Sequence, residues 1–158
     1  MRNYTKLCLL ALMVISLSAC NCKKGMKDLT LKSNTEEFMI YMEDSNTNIM
    51  EETSMIINSQ ENLESFFKVF NATKTPKITI PKVDFNSQCV LVVATGEKPS
   101  GGYSVMKPTL EPGKINSYFF KIKSPGPKDL VTMSLTTPGM IVIANQPANE
   151  VEINLLDE

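Results

Sequence analysis

The chain has 158 residues, of which 16 are Lys or Arg and 17 are Asp or Glu, so its formal net charge at pH 7 is −1. This nearly balanced charge gives no electrostatic support to a nucleic-acid surface. The sequence contains no histidine, which removes the side chain that most often acts as a general base near neutral pH. No zinc-ligand spacing is present either. We therefore predict no catalytic residue, no metal, no cofactor and no nucleic-acid partner.

The first twenty residues carry the pattern of an export signal. Arg2 and Lys6 precede an apolar run at 7–17, which is shorter than the about 20 residues that a transmembrane helix needs and fits a secretory signal. Residues 17–20 read Leu-Ser-Ala-Cys, which resembles the lipobox of bacterial lipoproteins. The resemblance implies cleavage before Cys20, acyl chains such as palmitate on that residue, and a membrane anchor in the bacterial cell envelope, at the outer membrane or cell surface. An ordinary signal peptide with a chance cysteine, or a buried apolar helix, is the alternative.

These features divide the chain into a signal peptide at 1–19, a lipidated, flexible tether at 20–36 and a single domain at 37–158. Cleavage would remove two positive charges and no negative one, which shifts the formal charge from −1 to −3. Cys22 lies in the tether, and Cys89 opens an apolar strand. A disulfide between them is one outcome in an oxidising compartment, and a buried free thiol at Cys89 is the more ordinary one.

Apolar runs between turn residues predict a series of short strands. The run at 89–94 is apolar throughout, which predicts a central strand that is covered on both faces. A short run at 78–80 lies between Pro76 and Pro81 and predicts an edge strand, because proline cannot donate to a ladder. The predicted strands span 37–42, 49–57, 78–80, 89–94, 103–106, 115–123, 130–135, 139–144 and 150–154.

One helix is predicted, with Ser59 as its N-cap and its end near Phe70. Leu63, Phe66 and Phe67 share an apolar stripe with Phe70 at helical spacing. Such a stripe must be covered, and a sheet is the candidate in this sequence; a partner-binding helix is the alternative. The chain is thus predicted to be mainly β with one helix, as an antiparallel β-sandwich or open barrel packed on a single amphipathic helix.

The glycine turn, residues 95–104, lies between two of the predicted strands and reads Thr-Gly-Glu-Lys-Pro-Ser-Gly-Gly-Tyr-Ser. Glycine reaches positive φ without a Cβ clash, so this composition predicts a sharp turn. Ser100 lacks a Gly-x-Ser-x-Gly frame and a base partner, and the turn lacks the Gly-Lys-[Ser/Thr] of a phosphate loop. A tight connection between strands is one sufficient explanation of the turn, and a binding surface is the other.

With its flanking strands, the glycine turn resembles the signature of the PrcB C-terminal domain, in which Pro-[Ser/Thr]-Gly-Gly-Tyr enters a strand. Residues 81–85, the Pro-Gly stretch at 124–127 with 131–133, and the Thr-x-Pro stretch at 135–138 resemble other parts of that domain. The similarity covers roughly 59–155. It implies a small, mostly β, non-enzymatic lipoprotein domain from a family whose named member, protease complex subunit PrcB, is associated with assembly or stability of a surface protease complex.

A second similarity is to chagasin-type cysteine protease inhibitors, whose Asn-Pro-Thr-Thr-Gly-Tyr loop matches the turn in outline. Their other two inhibitory loops have no counterpart here, and the chain has no tryptophan. We predict a non-enzymatic, membrane-anchored binding or assembly module for an envelope protein complex such as a protease complex. A protease inhibitor acting through 97–103 and a purely structural envelope lipoprotein are the alternatives. The predicted contact surface, with exposed backbone amides, consists of Lys98, Pro99, Ser100, Gly101, Gly102 and Tyr103.

Overall fold

The computed structural model describes residues 37–111 and 114–156. The predicted signal peptide and tether, with Cys20 and Cys22, lie outside these residues. The described part is mainly β with one α-helix, as predicted. Its elements are β1 (Phe38–Asp44), β2 (Glu52–Ile57), α1 (Gln60–Phe70), β3 (Cys89–Thr95), β4 (Ser104–Val105), β5 (Thr109–Glu111), β6 (Lys114–Lys123), β7 (Gly139–Ala144) and β8 (Glu152–Leu156), with a 3-10 turn at Ala148–Glu150.

The first sheet is antiparallel and has the strand order β1-β7-β3-β2. Its two central strands, β3 and β7, are buried at every residue. Side chains alternate along β3, because successive residues of a strand point to opposite faces. Leu91 and Val93 face the second sheet, whereas Val90 and Val92 face the helix. The prediction of a central strand covered on both faces is confirmed.

The second sheet is built around β6. β4 pairs with residues 122–123 of β6, β5 pairs mainly with 118–119, and β8 runs parallel to β6. Tyr118 and Phe120 are fully buried in the core between the two sheets. The sheets therefore pack as a sandwich without a closed barrel. The parallel β6–β8 pair departs from the predicted antiparallel arrangement, because β7 carries the chain back through the other sheet between these two strands.

The helix α1 covers the outer face of the first sheet. It begins where the sequence predicts, because the Ser59 hydroxyl accepts a hydrogen bond from the Asn62 amide at 3.3 Å. At its other end, the Asn48 side-chain amide donates to the Phe70 carbonyl at 2.9 Å. No helix in the described ranges is long and apolar enough to span a bilayer. The residues of α1 that are buried against the sheet are Leu63, Phe66, Phe67 and Phe70.

The edge strand predicted at 78–80 does not form. Asn71 instead bonds both backbone groups of Ile78, accepting from its N–H at 2.8 Å and donating to its carbonyl at 2.9 Å. The Tyr41 hydroxyl donates to the Thr79 carbonyl at 2.6 Å. Side chains thus take the hydrogen bonds that a neighbouring strand would take, and the segment packs against the helix side of the core.

The strand predicted at 130–135 is also absent, and these residues form an irregular loop. A turn precedes the loop, in which the Gly126 amide donates to the Asp129 carboxylate at 2.8 Å. Pro138 follows it and has no N–H to donate. No strand of the described part pairs with residues 130–135, and the Thr132 carbonyl instead accepts a hydrogen bond from the Gly101 amide. The short strand β5, in contrast, was not predicted.

Candidate functional site

The glycine turn leaves β3 through a contact that requires glycine. Gly96 has a φ of 71°, and a Cβ on it would lie 2.8 Å from the Glu52 nitrogen and 3.0 Å from the Glu51 carbonyl carbon. The next amide, of Glu97, donates to the Met50 carbonyl at 3.0 Å. Glycine is required here both by the left-handed backbone and by the close approach of the segment that leads into β2.

The middle of the turn pairs with the segment that precedes β7. Lys98 and Thr136 exchange two backbone hydrogen bonds, of 2.8 and 3.0 Å, in an isolated antiparallel bridge. The Gly101 amide donates to the Thr132 carbonyl at 2.9 Å. The Thr136 hydroxyl donates to the Ser100 carbonyl at 2.8 Å. These bonds hold the turn along its length against a second loop.

The end of the turn contacts the Pro-Gly stretch at 124–127. Gly102 has a φ of 87°, and a Cβ on it would lie 2.7 Å from Cγ1 of Val131 and 3.0 Å from Cβ of Pro125. The glycine turn and the later segments at 124–127, 131–133 and 135–138 that resemble the PrcB C-terminal domain are therefore adjacent in the structure. These loops contact one another and form one folded unit.

A cluster of buried threonines lies beneath this pairing. The Thr47 hydroxyl donates to the Thr137 carbonyl at 2.7 Å, and the Thr95 amide donates to the Pro138 carbonyl at 2.8 Å. No buried polar side-chain atom in the described residues lacks a hydrogen-bond partner. An unsatisfied buried group would cost about 1–3 kcal/mol, so this network fixes the backbone on which the turn rests. Its buried members are Thr47, Thr95, Thr136 and Thr137.

The six residues predicted as a contact surface lie together but differ in exposure. Pro99 and Gly102 are exposed, and the other four are half-buried. The Lys98 ammonium lies 5.7 Å from the centre of the Tyr103 ring, which is within cation–π range. The prediction of exposed backbone amides is wrong for Lys98 and Gly101, because both amides donate to the opposing loop. A glycine-rich backbone that packs on another segment satisfies its own hydrogen bonds there.

The large exposed apolar side chains near the turn come from the 130–135 loop, which the sequence did not identify as a site. Leu130 is 104% exposed, Met133 98% and Leu135 62%. Because Thr132 lies in the same loop and bonds the turn, these side chains are displayed on an anchored backbone. The one sequence signal for a loop was the proline-containing turn on each side of it.

A polar cleft of about 540 Å³ lies on the other side of this loop, with Leu135 and Thr137 in its wall. The ammonium group of Lys74 also lines the cleft, but it lies 2.7 Å from the Asp44 carboxylate and donates to the Asn46 carbonyl at 2.6 Å. Because the charge of this lysine is already paired, it offers no strong attraction to an anionic ligand.

The pKa shifts of Asp84 and Cys89 are explained by hydrogen bonds in a turn and by burial. No group of three or more His, Cys, Asp and Glu side chains in that part of the chain is placed to hold a metal ion. Asp84 caps a turn: hydrogen bonds from the Asn86 amide and the Ser87 hydroxyl hold its pKa below the usual value. Cys89 is a free, fully buried thiol, as predicted, and burial raises its pKa to about 11.

The three loops of the site lie within a segment that matches a known family. Residues 89–144 match the family model described as PrcB C-terminal. The match starts with β3 and ends with β7, so it is shorter than the 59–155 over which the resemblance was drawn and leaves out the helix. No curated protein and no solved structure shows significant similarity to the chain. The predicted resemblance is confirmed over residues 89–144, which are similar to the PrcB C-terminal family.

Proposed function

We propose that the chain is a non-enzymatic, lipid-anchored binding or assembly subunit of a protein complex in the bacterial cell envelope. Its contact surface consists of residues 98–103 of the glycine turn and the 130–135 loop. The observation that carries the proposal is the exposure of Leu130, Met133 and Leu135 within six residues. Large exposed apolar groups of this kind mark interaction sites. The family match supports a protease complex as the partner.

The glycine turn and the 130–135 loop contribute differently to the proposed binding of a partner. The turn supplies rigidity, because its amides donate to carbonyls of the opposing loop and the Thr136 amide donates back to Lys98. Little conformational freedom is therefore lost when a partner binds. The 130–135 loop supplies apolar area through Met133 and its neighbours, and methionine is enriched in interface cores. Tyr103, half-buried beside Lys98, adds an aromatic group at the edge of the surface.

Met133→Lys is expected to reduce recovery of the partner complex about 10-fold or more, because a charge would be buried at the centre of the interface. The full chain, tagged at its C-terminus, would be purified from detergent-solubilised membranes of the native host, and copurifying proteins quantified by mass spectrometry. Met133 makes no core contact, so the unfolding midpoint should stay within about 1 °C of the wild-type value.

Met39→Lys is the matched control, since Met39 is 51% exposed on β1 and lies outside the proposed surface. Its copurification should equal that of the wild type. Equal recovery of partners by the wild type and Met133→Lys would contradict the proposal. Saturable loss of activity of a papain-like protease on titration with the protein would favour the inhibitor alternative instead.

The lipid anchor belongs to the same proposal and is tested separately. Cys20→Ser is expected to abolish incorporation of labelled palmitate and to move the chain out of the membrane fraction, because several buried acyl chains supply the anchoring energy. Cys22→Ser changes a cysteine two positions away and should keep the label. Labelling that survives Cys20→Ser would overturn the lipobox interpretation.

A further inference from the structure

The strand β2 is an edge strand with backbone groups that face away from its sheet. Among the described residues it pairs with β3 and with no further strand of that sheet. Thr95 is paired with Glu52, and the Thr95 amide points to the other side, towards the Pro138 carbonyl. Because antiparallel pairs alternate, the N–H and C=O groups of Glu52, Ser54 and Ile56 point outward. β8 lies near β2, but the strand it pairs with is β6.

This edge lacks three features by which proteins discourage an added strand, namely a bulge, a proline and a lysine, and its one charged residue, Glu52, lies at its first position. β1, at the opposite edge of the sheet, has an irregularity between Ile40 and Met42. The register of β2 with β3 is regular over all six pairs, and the sequence of β2 contains neither proline nor lysine. The two edges of this sheet thus differ, and β2 is the edge with a regular backbone to which a further strand could pair.

An apolar groove of about 650 Å³ runs beside this edge, between β2 and α1. Met55 and Ile57 of β2 and Phe66 of α1 form part of its wall. Two large side chains at its rim are exposed, Met50 by 63% and Val69 by 54%. A strand added to β2 would direct every second side chain into this groove, since the side chains of a strand alternate between its faces.

We infer that β2 binds an extended segment of a partner polypeptide by strand addition. The segment has apolar side chains at alternate positions, about 7 Å apart, that enter the groove. It carries a basic residue near Glu51 and Glu52, which are exposed at the start of β2 and form no ion pair with a described residue. Backbone hydrogen bonds give affinity, and the groove and the two carboxylates give specificity.

The β2 edge and its groove are distinct from the contact surface proposed above. It shares no residue with 98–103 or with the 130–135 loop, so the two proposals fail or succeed separately. A partner strand on β2 would give the protein a second point of attachment within the same assembly. Two linked contacts bind more tightly than either contact alone when geometry allows both to form.

The test is a selection from a random octapeptide library, displayed on phage, against the full chain. Enriched peptides are expected to alternate apolar and polar residues and to contain Lys or Arg at one end. Their affinity would be measured by fluorescence polarisation. Val69→Lys, which places a charge at the groove, should weaken binding at least 10-fold. Ser54→Pro removes an outward-pointing N–H, a loss that an edge strand tolerates. It should also weaken peptide binding at least 10-fold.

Ser65→Lys is the control, because Ser65 is exposed on the same helix and does not line the groove. It should bind like the wild type. Failure to enrich alternating peptides, or equal binding by Val69→Lys, would overturn the inference even if Ser54→Pro did not fold. A dimer of the free chain, detected by light scattering and dissociated by Ser54→Pro, would also overturn it, because a second copy would then occupy the edge.

Discussion

Gly96→Ala is expected to lower the free energy of unfolding by about 3 kcal/mol. A residue with a Cβ pays roughly 1–2 kcal/mol in the left-handed region that Gly96 occupies. The added carbon would also lie 2.8 Å from the Glu52 nitrogen. Because that neighbour is backbone at the start of β2, relief of the overlap moves a strand, at a further cost of about 1–3 kcal/mol. Urea unfolding followed by circular dichroism measures the change.

Gly126→Ala is the matched control for this result. Gly126 is exposed, and the nearest atoms to an added Cβ, in the Asp129 carboxylate, are at 3.5 Å or more, an ordinary contact distance. Its substitution should change stability by no more than about 0.5 kcal/mol. If both variants unfold alike, the backbone of the turn is not held as described, and the rigid platform under the proposed contact surface is lost with it.

Local patterns in the sequence predicted most of the fold. The continuous apolar run at 89–94, the stripe that includes Phe67, and the Ser59 cap each depend on neighbouring residues, and the structure confirms all three. The pairing of β6 with β8 depends instead on which sheet β7 joins. No pattern within β8 carries that information, so the parallel pair was not predictable from local periodicity.

The two predicted strands that do not form show what else local sequence patterns leave out. Residues 78–80 have strand composition, but Asn71 takes the backbone hydrogen bonds of Ile78. An asparagine that acts as a strand partner cannot be recognised before the fold is known. Alternation at 130–135 predicts a strand, yet these residues form an irregular loop in which Met133 is almost fully exposed. Alternation shows which residues share a face, and only a neighbouring element decides whether that face is covered.

The six residues predicted as a contact surface lie together and pack against a second loop in the structure, and their role in binding a partner stays a prediction. The amides of Glu97, Lys98 and Gly101 in the turn donate to carbonyl groups within the protein, so these three amides are not available to a partner. The residues with free apolar surface lie in the opposing loop, where the sequence predicted a strand. Loops commonly carry function while their scaffold fixes them in place, and here the glycine turn and the 130–135 loop fix each other through backbone hydrogen bonds.

Phe67→Ala is expected to lower the free energy of unfolding by about 3–5 kcal/mol, the usual range for a buried phenylalanine. Phe67 is 1% exposed. Its ring meets the rings of Phe66, Phe70 and Tyr41 at centroid distances of 5.5, 5.6 and 6.4 Å. Typical domains have only about 5–15 kcal/mol of total stability, so the variant should unfold at much lower urea concentration than the wild type.

This measurement also separates the two interpretations of the helix that the sequence left open. The helix lies outside the matched residues 89–144, so the match does not show whether α1 is part of the folded core. If α1 instead served mainly to bind a partner, Phe67→Ala would barely change the stability of the free chain. Lys68→Ala, at an exposed position of the same helix, should cost no more than about 0.5 kcal/mol in either case. A large loss of unfolding free energy in Phe67→Ala and a small one in Lys68→Ala would show that α1 is a layer of the fold. A strand docked on β2 would then contact a helix that is already fixed.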